Sequence, residues 1–213
     1  MHRNLYLFLL IGIFISCSPS QKAFLTNPED NLIDKSLPST TLKHKLYLVG
    51  DAGGLDNKKN KSNYVLKAVK KKVKKDTVKN SVVFLGDNIY EHGLSKAKNK
   101  HRKKQEKIIE AQLDLAKGTD ANLYFIPGNH DWNNNKKGGL AAIKRQDKYI
   151  KEHRASKKRV HFYPHQGCGD PHVVKIDHDL VYVFIDSQWW VHNWASESEI
   201  NKGCHLNLSL IHI

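Results

Sequence analysis

Three short apolar runs in this chain each end in Gly-Asp or Gly-Asn, and that repetition constrains the fold more than any other feature. Lys45–Val49 leads into Gly50-Asp51, Ser81–Leu85 into Gly86-Asp87, and Leu123–Pro127 into Gly128-Asn129. Short apolar runs stopped by Gly read as buried parallel strands. Each Gly allows the tight turn that lifts the next side chain off the strand end. Open parallel sheets gather ligands at the carboxyl ends of their strands. The pattern therefore brings Asp51, Asp87 and Asn129 toward one spot, together with Tyr90 and His130. Two carboxylates, an amide oxygen and a phenol make a hard-oxygen set, suited to cations such as Fe, Mn, Mg or Zn.

Helical spacing fills the gaps between these strands. Asn63 to Lys75 places Val65, Leu66, Val69 and Val73 on one stripe. Lys98 to Lys117 turns Ile108, Ala111 and Leu115 inward, with Gly118 as a C-cap. Gly139 to Arg154 spaces Leu140, Ile143 and Ile150 for a third buried face. Alternation of strand and helix argues for an α/β fold with a parallel sheet. Beyond it, His172–Ile176 and Val181–Ile185 flank Asp177-His178-Asp179 and read as a hairpin, so a mixed sheet is expected.

The first residues lie outside this pattern. Met1-His2-Arg3 is a basic start, and the apolar run Leu5 to Ile15 is too short to span a membrane comfortably. With Ser16-Cys17 at its end, the segment 1–17 reads as an export signal. Phe14-Ile15-Ser16-Cys17 resembles a bacterial lipobox, which implies cleavage before Cys17 and a lipid on its sulfur. Export to the periplasm or cell envelope, with a membrane anchor at Cys17, is the expected location. Residues 18–41 are polar, carry Pro19, Pro28 and Pro38, and read as a tether. In an oxidising compartment Cys168 and Cys204 are the remaining pair. The net charge of +14 comes mostly from scattered Lys, with little Arg and few interleaved aromatics. A solvated Lys-rich surface is the expected reading, with no nucleic-acid partner.

From Asp51 to about Trp190 the chain resembles the calcineurin-like metallophosphoesterases, whose successive motifs are Gly-Asp, Gly-Asp and Gly-Asn-His-Asp/Glu. Here they stand as Gly50-Asp51, Gly86-Asp87 and Gly128-Asn129-His130-Asp131. Many members carry a metal-binding His two residues after the first Asp. This chain has Gly53 there, and Tyr90 in its second motif. That combination resembles the purple acid phosphatase branch, in which a tyrosinate binds the first metal. The resemblance implies an α/β sandwich with mixed sheets over 42–207, and hydrolysis of phosphate esters by a metal-bound hydroxide at a dinuclear site. Two ions are implied, Fe with Fe, Zn or Mn. Asp51 and Tyr90 would bind the first metal, Asp87 would bridge, and Asn129 would bind the second. His130 would stabilise the phosphoryl oxygens or protonate the leaving oxygen, and Asp131 would orient His130.

Each residue taken alone has an ordinary role. Asp51 suits a helix N-cap, Asn129 a turn, Tyr90 the core, and a lone His is more often structural. Their joint order favours the functional reading. His92 follows the second motif closely enough to line a pocket, as Trp189-Trp190 would after Ile185-Asp186-Ser187, although packing is the commoner role for paired aromatics. His161, His165 and His172 read as structural or exposed.

The resemblance also implies later motifs, a His after a fourth strand and a Gly-His-x-His, and the latter does not occur in these 213 residues. Ser209-Leu210-Ile211-His212-Ile213 resembles translated adaptor sequence, so 208–213 is expected to be non-native and the domain incomplete at its C-terminus. An inactive fragment of a phosphoesterase is therefore expected. Two other classes stay open: a non-catalytic binding protein that keeps the fold, and a basic binder of nucleic acid or membrane surfaces.

Overall fold

Central strands buried on both faces set the two layers of this structure, a computed structural model that describes residues 42–54, 64–153 and 158–197. Strand β1 (His44–Val49) is followed by helix α1 (Tyr64–Val73), β2 (Lys79–Phe84), helix α2 (Arg102–Leu113) and β3 (Asn122–Phe125). Helix α3 (Gly139–His153), β4 (Val160–Phe162), the pair β5 (His172–Lys175) and β6 (Val181–Phe184), and a short α4 (Ser187–Val191) complete the order. Strands β1-β2-β3-β4 are neighbours in that order and pair in parallel. Their carboxyl ends therefore share one edge, with Val49 opposite Phe84 and Phe84 opposite Phe125.

Side chains of a strand alternate between faces. Val82 and Phe84 pack with Leu66 and Val73 of α1, Ile109 and Leu113 of α2, and Leu140, Ile143 and Ile150 of α3. Val83 points the other way, into a second cluster with Tyr124, Tyr163 and Phe184, where the β5–β6 hairpin covers the sheet. Phe84 and Phe125 are fully buried and stack with centroids 4.4 Å apart. Each such ring contributes roughly 1.5–3 kcal/mol by leaving water, which fixes the strand ends that carry the site.

The α/β architecture and the strand–helix alternation agree with the sequence. The parallel ladder and the antiparallel hairpin form separate sheets, however, rather than one mixed sheet. Strand β4 falls in a stretch that reads as loop, because three residues are too few to show a period. Helix α2 begins at Arg102 and tightens into a 3₁₀ turn at Asp114–Ala116, and Gly118 follows at φ 68°, the left-handed geometry of a C-cap. Val65 is 54% exposed and leaves the α1 stripe to Leu66, Val69 and Val73.

The described residues belong to one compact unit. Cys168 is disulfide-bonded; Cys204, its expected partner, lies outside the described residues. So do Cys17, the segments 1–17 and 18–41, and the tail 208–213. Among the described residues no helix is long and apolar enough to cross a membrane.

Candidate active site

Asp51 and Asp87 both leave their strands in the left-handed backbone region, at φ 55° and 51°. Asp tolerates that region better than most residues with a Cβ, and the turn aims both carboxylates over the sheet edge. Asp51, Asp87 and Asn129 line a single cleft of about 210 Å³, together with Ser187 and Gln188. Tyr90 joins them from the side. Its hydroxyl donates to Asp51 Oδ1 at 2.5 Å and lies 3.3 Å from Asp87 Oδ2. The other oxygen of Asp87, Oδ1, accepts the backbone N–H of His130 at 3.1 Å. Burial, then the hydrogen bond to Asp51 and the charges of both carboxylates, push the Tyr90 phenol well above its usual range. Three oxygens thus meet around a single proton, which a cation could replace.

Two close approaches make this geometry possible. A Cβ on Gly128 would strike Asp87, 2.5 Å from its backbone nitrogen. A Cβ on Gly53 would lie 2.8 Å from the nitrogen of Ile89 and 2.9 Å from the carbonyl carbon of Asn88. Position 53 has no room for a His, and the Tyr90 N–H donates to the Gly53 carbonyl at 3.3 Å.

Asp131 does something other than orient His130. Its carboxylate is fully buried and accepts from the N–H groups of Gly128 at 2.9 Å, Asn88 at 3.0 Å and Ile89 at 3.1 Å. The Asn88 amide adds a fourth contact at 3.3 Å. Asp131 therefore ties the loop after β2 to the loop after β3. Burial pushes its carboxyl up to about 6, against the pull of those backbone donors. The His130 imidazole is held elsewhere: Nδ1 lies 2.8 Å from the Glu91 carbonyl, and the ring meets Tyr90 edge-on at 4.5 Å. A carbonyl only accepts, so Nδ1 carries the proton and Nε2 remains for chemistry.

Asn129 is exposed at the cleft, and its Nδ2 donates to Asn134 Oδ1 at 3.1 Å. His92 is exposed and does not line the cleft. Neither does the Trp pair: Trp189 packs over Gly169 and against Trp194, 5.1 Å between centroids, while Trp190 is exposed. His161, His165 and His172 gather around Tyr163, His172 stacking on it at 3.8 Å.

No motif in the sequence singles out Ser187 and Gln188, which line the cleft, or Asp186 beside them. Asp186 is buried, caps α4 by accepting from Gln188 and Trp189, and receives the Trp132 indole N–H at 2.8 Å. Burial lifts its carboxyl to about 7, against the indole and backbone donors. The available signal was a fourth apolar run, Val181–Ile185, ending in an acidic residue without the preceding Gly.

Among the described residues no group of three or more His, Cys, Asp or Glu is placed to hold a metal ion. The set here has only two carboxylates, supplemented by a phenol and an amide. Its donors are all hard oxygens and fit a hard cation.

A family model for calcineurin-like phosphoesterases matches residues 44–203, and the chain belongs to that family. No curated protein matches it. Members of the family are generally phosphoester hydrolases and typically bind two metal ions.

Proposed function

We propose that this chain is built for metal-dependent hydrolysis of phosphate esters, in the purple-acid-phosphatase-like branch of its family. The observation that carries the reading is the Tyr90 hydroxyl set between Asp51 and Asp87 at the cleft, on a backbone where Gly53 excludes the commoner His. Asp51 and Tyr90 would hold one ion, Asp87 would serve both, and Asn129 would offer its amide oxygen to the second. A phenolate favours trivalent iron, so Fe paired with Fe, Zn or Mn is the proposed content. Bound cations supply water activation and neutralise phosphoryl charge in this chemistry.

The protein's own groups do the rest. Asp87 keeps one oxygen toward the cleft because the His130 N–H holds the other. Glu91 fixes the His130 tautomer, leaving Nε2 to donate to a phosphoryl or leaving oxygen when protonated. Asp131 and Asp186 anchor the loops that carry these groups. The four ligand residues fall short of the family's set, which adds imidazoles from later motifs, and one of these, Gly-His-x-His, does not occur in these 213 residues. Slow or absent turnover by this chain alone is part of the proposal. So is export, with a lipid on Cys17; Cys17→Ser should abolish lipid labelling.

The test is metal content and aryl phosphate hydrolysis after loading with Fe³⁺ and Zn²⁺. Metal uptake that Asp87→Asn abolishes supports the reading. Uptake unchanged in Asp87→Asn, or no uptake by either protein, overturns it.

A further inference from the structure

One backbone carbonyl, that of Glu91, orders two side chains beside the cleft. It takes His130 Nδ1 at 2.8 Å and Asn134 Nδ2 at 2.9 Å. Because the carbonyl only accepts, Asn134 must turn its NH₂ toward it, and its Oδ1 then faces the opposite way. That oxygen receives Asn129 Nδ2 at 3.1 Å. The orientation passes along the chain of contacts. With its nitrogen committed to Asn134, Asn129 presents its oxygen to the cleft, the atom that a cation requires.

The backbone around Asn134 is shaped for this contact. Asn133, Asn134 and Asn135 lie consecutively in the left-handed region, at φ 55°, 52° and 61°. Asn tolerates that region in single residues, and a run of three is costly without support. Support comes from Asn134 N–H to the Asn129 carbonyl at 2.8 Å and Asn133 N–H to the His130 carbonyl at 3.0 Å. Asn135 accepts from Gln188 across the cleft wall. Asn134 therefore grips Asn129 twice, once through its backbone and once through its amide. His92 Nδ1, 3.5 Å from Asn134 Nδ2, completes the surroundings of that amide.

We propose that Asn134 is a positioning residue: it locks the Asn129 amide with oxygen toward the cleft, so that Asn129 serves as a cation ligand rather than a donor. This rests on the metal-site reading above.

The test is calorimetric titration of the full chain with Mn²⁺ alone, in a double-mutant cycle. Asn134→Gly keeps the backbone N–H and accepts φ 52° without strain, while deleting the amide. Supporting residues of this kind are worth about 10- to 100-fold in metal affinity, and Asn134→Gly should weaken Mn²⁺ binding by that factor at nearly unchanged melting temperature. In the Asn129→Asp background both side-chain oxygens are acceptors and no orientation is needed. There, Asn134→Gly should weaken binding by less than about 2-fold, well below that range. An equal loss in both backgrounds would mark a merely structural role and overturn the proposal, as would no loss in either. If neither the wild type nor Asn129→Asp takes up Mn²⁺, the metal-site reading fails first and the proposal with it.

Discussion

The Tyr90 hydroxyl stands 2.5 Å from Asp51 Oδ1 and 3.3 Å from Asp87 Oδ2, so one phenolic proton holds together carboxylates from two different strand ends. Two negative groups facing one cleft are unfavourable for the empty fold and favourable once a cation binds. On the proposed metal-site reading, the protein without metal is held below its own best stability.

That relationship sets the first expectation. Asp87→Asn removes one charge but keeps an oxygen for the His130 N–H. Thermal unfolding without metal should show a melting temperature equal to or slightly above wild type, while metal uptake is lost. A fall equivalent to more than roughly 2 kcal/mol would mean that Asp87 is a structural anchor instead.

Position 53 should resist the side chain that many relatives carry. Gly53→Ala places a Cβ against the Asp87–Ile89 backbone, and overpacking of this kind costs about 1–3 kcal/mol. Gly53→His should destabilise at least as much and should not raise metal affinity. Improved affinity at undiminished stability would refute the steric account of why Gly stands there.

His130 and Asp131 are neighbours with opposite expected phenotypes. Asp131→Ala strands buried N–H donors from two loops, each costing about 1–3 kcal/mol when unsatisfied, and should unfold the domain or lower its melting temperature severely. His130→Ala should leave melting temperature and metal content close to wild type and lower any phosphate-ester turnover. Similar stability losses in the two variants would restore the idea that they act as one unit.

Much of this was legible in the sequence because strand ends are local. An apolar run, a Gly and an Asp or Asn specify a turn within five or six residues, so β1 to β3 and the placing of Asp51, Asp87 and Asn129 at the strand ends followed from that local pattern. The role of Asp131 was not legible, since its partners Asn88 and Ile89 lie 43 and 42 residues away. The Asn129–Asn134–Glu91 contacts depend on side-chain amides oriented by a distant carbonyl, and Asn-Asn-Asn reads only as loop. Strand β4 was hidden by its brevity, and Asp186 by the lack of a preceding Gly.

Asp186 gives a pH expectation. Its carboxyl is raised from 3.8 to about 7 by burial, so the folded state binds a proton that the unfolded state has released. The associated stability is full below about pH 4 and is lost as pH rises through 7. Melting temperature should fall between roughly pH 5 and 8. Asp186→Asn, which cannot titrate yet still caps α4, should reduce that slope. An unchanged slope would place the titration elsewhere.

The central claim is that Tyr90 binds metal as part of an oxygen site with Asp51 and Asp87. Titration of the purified chain with Fe³⁺, followed by visible absorption, tests it most directly. The wild type should develop a phenolate-to-iron band that saturates, and Tyr90→Phe should show none while keeping its melting temperature. A band that survives Tyr90→Phe, or none in the wild type, would contradict the account.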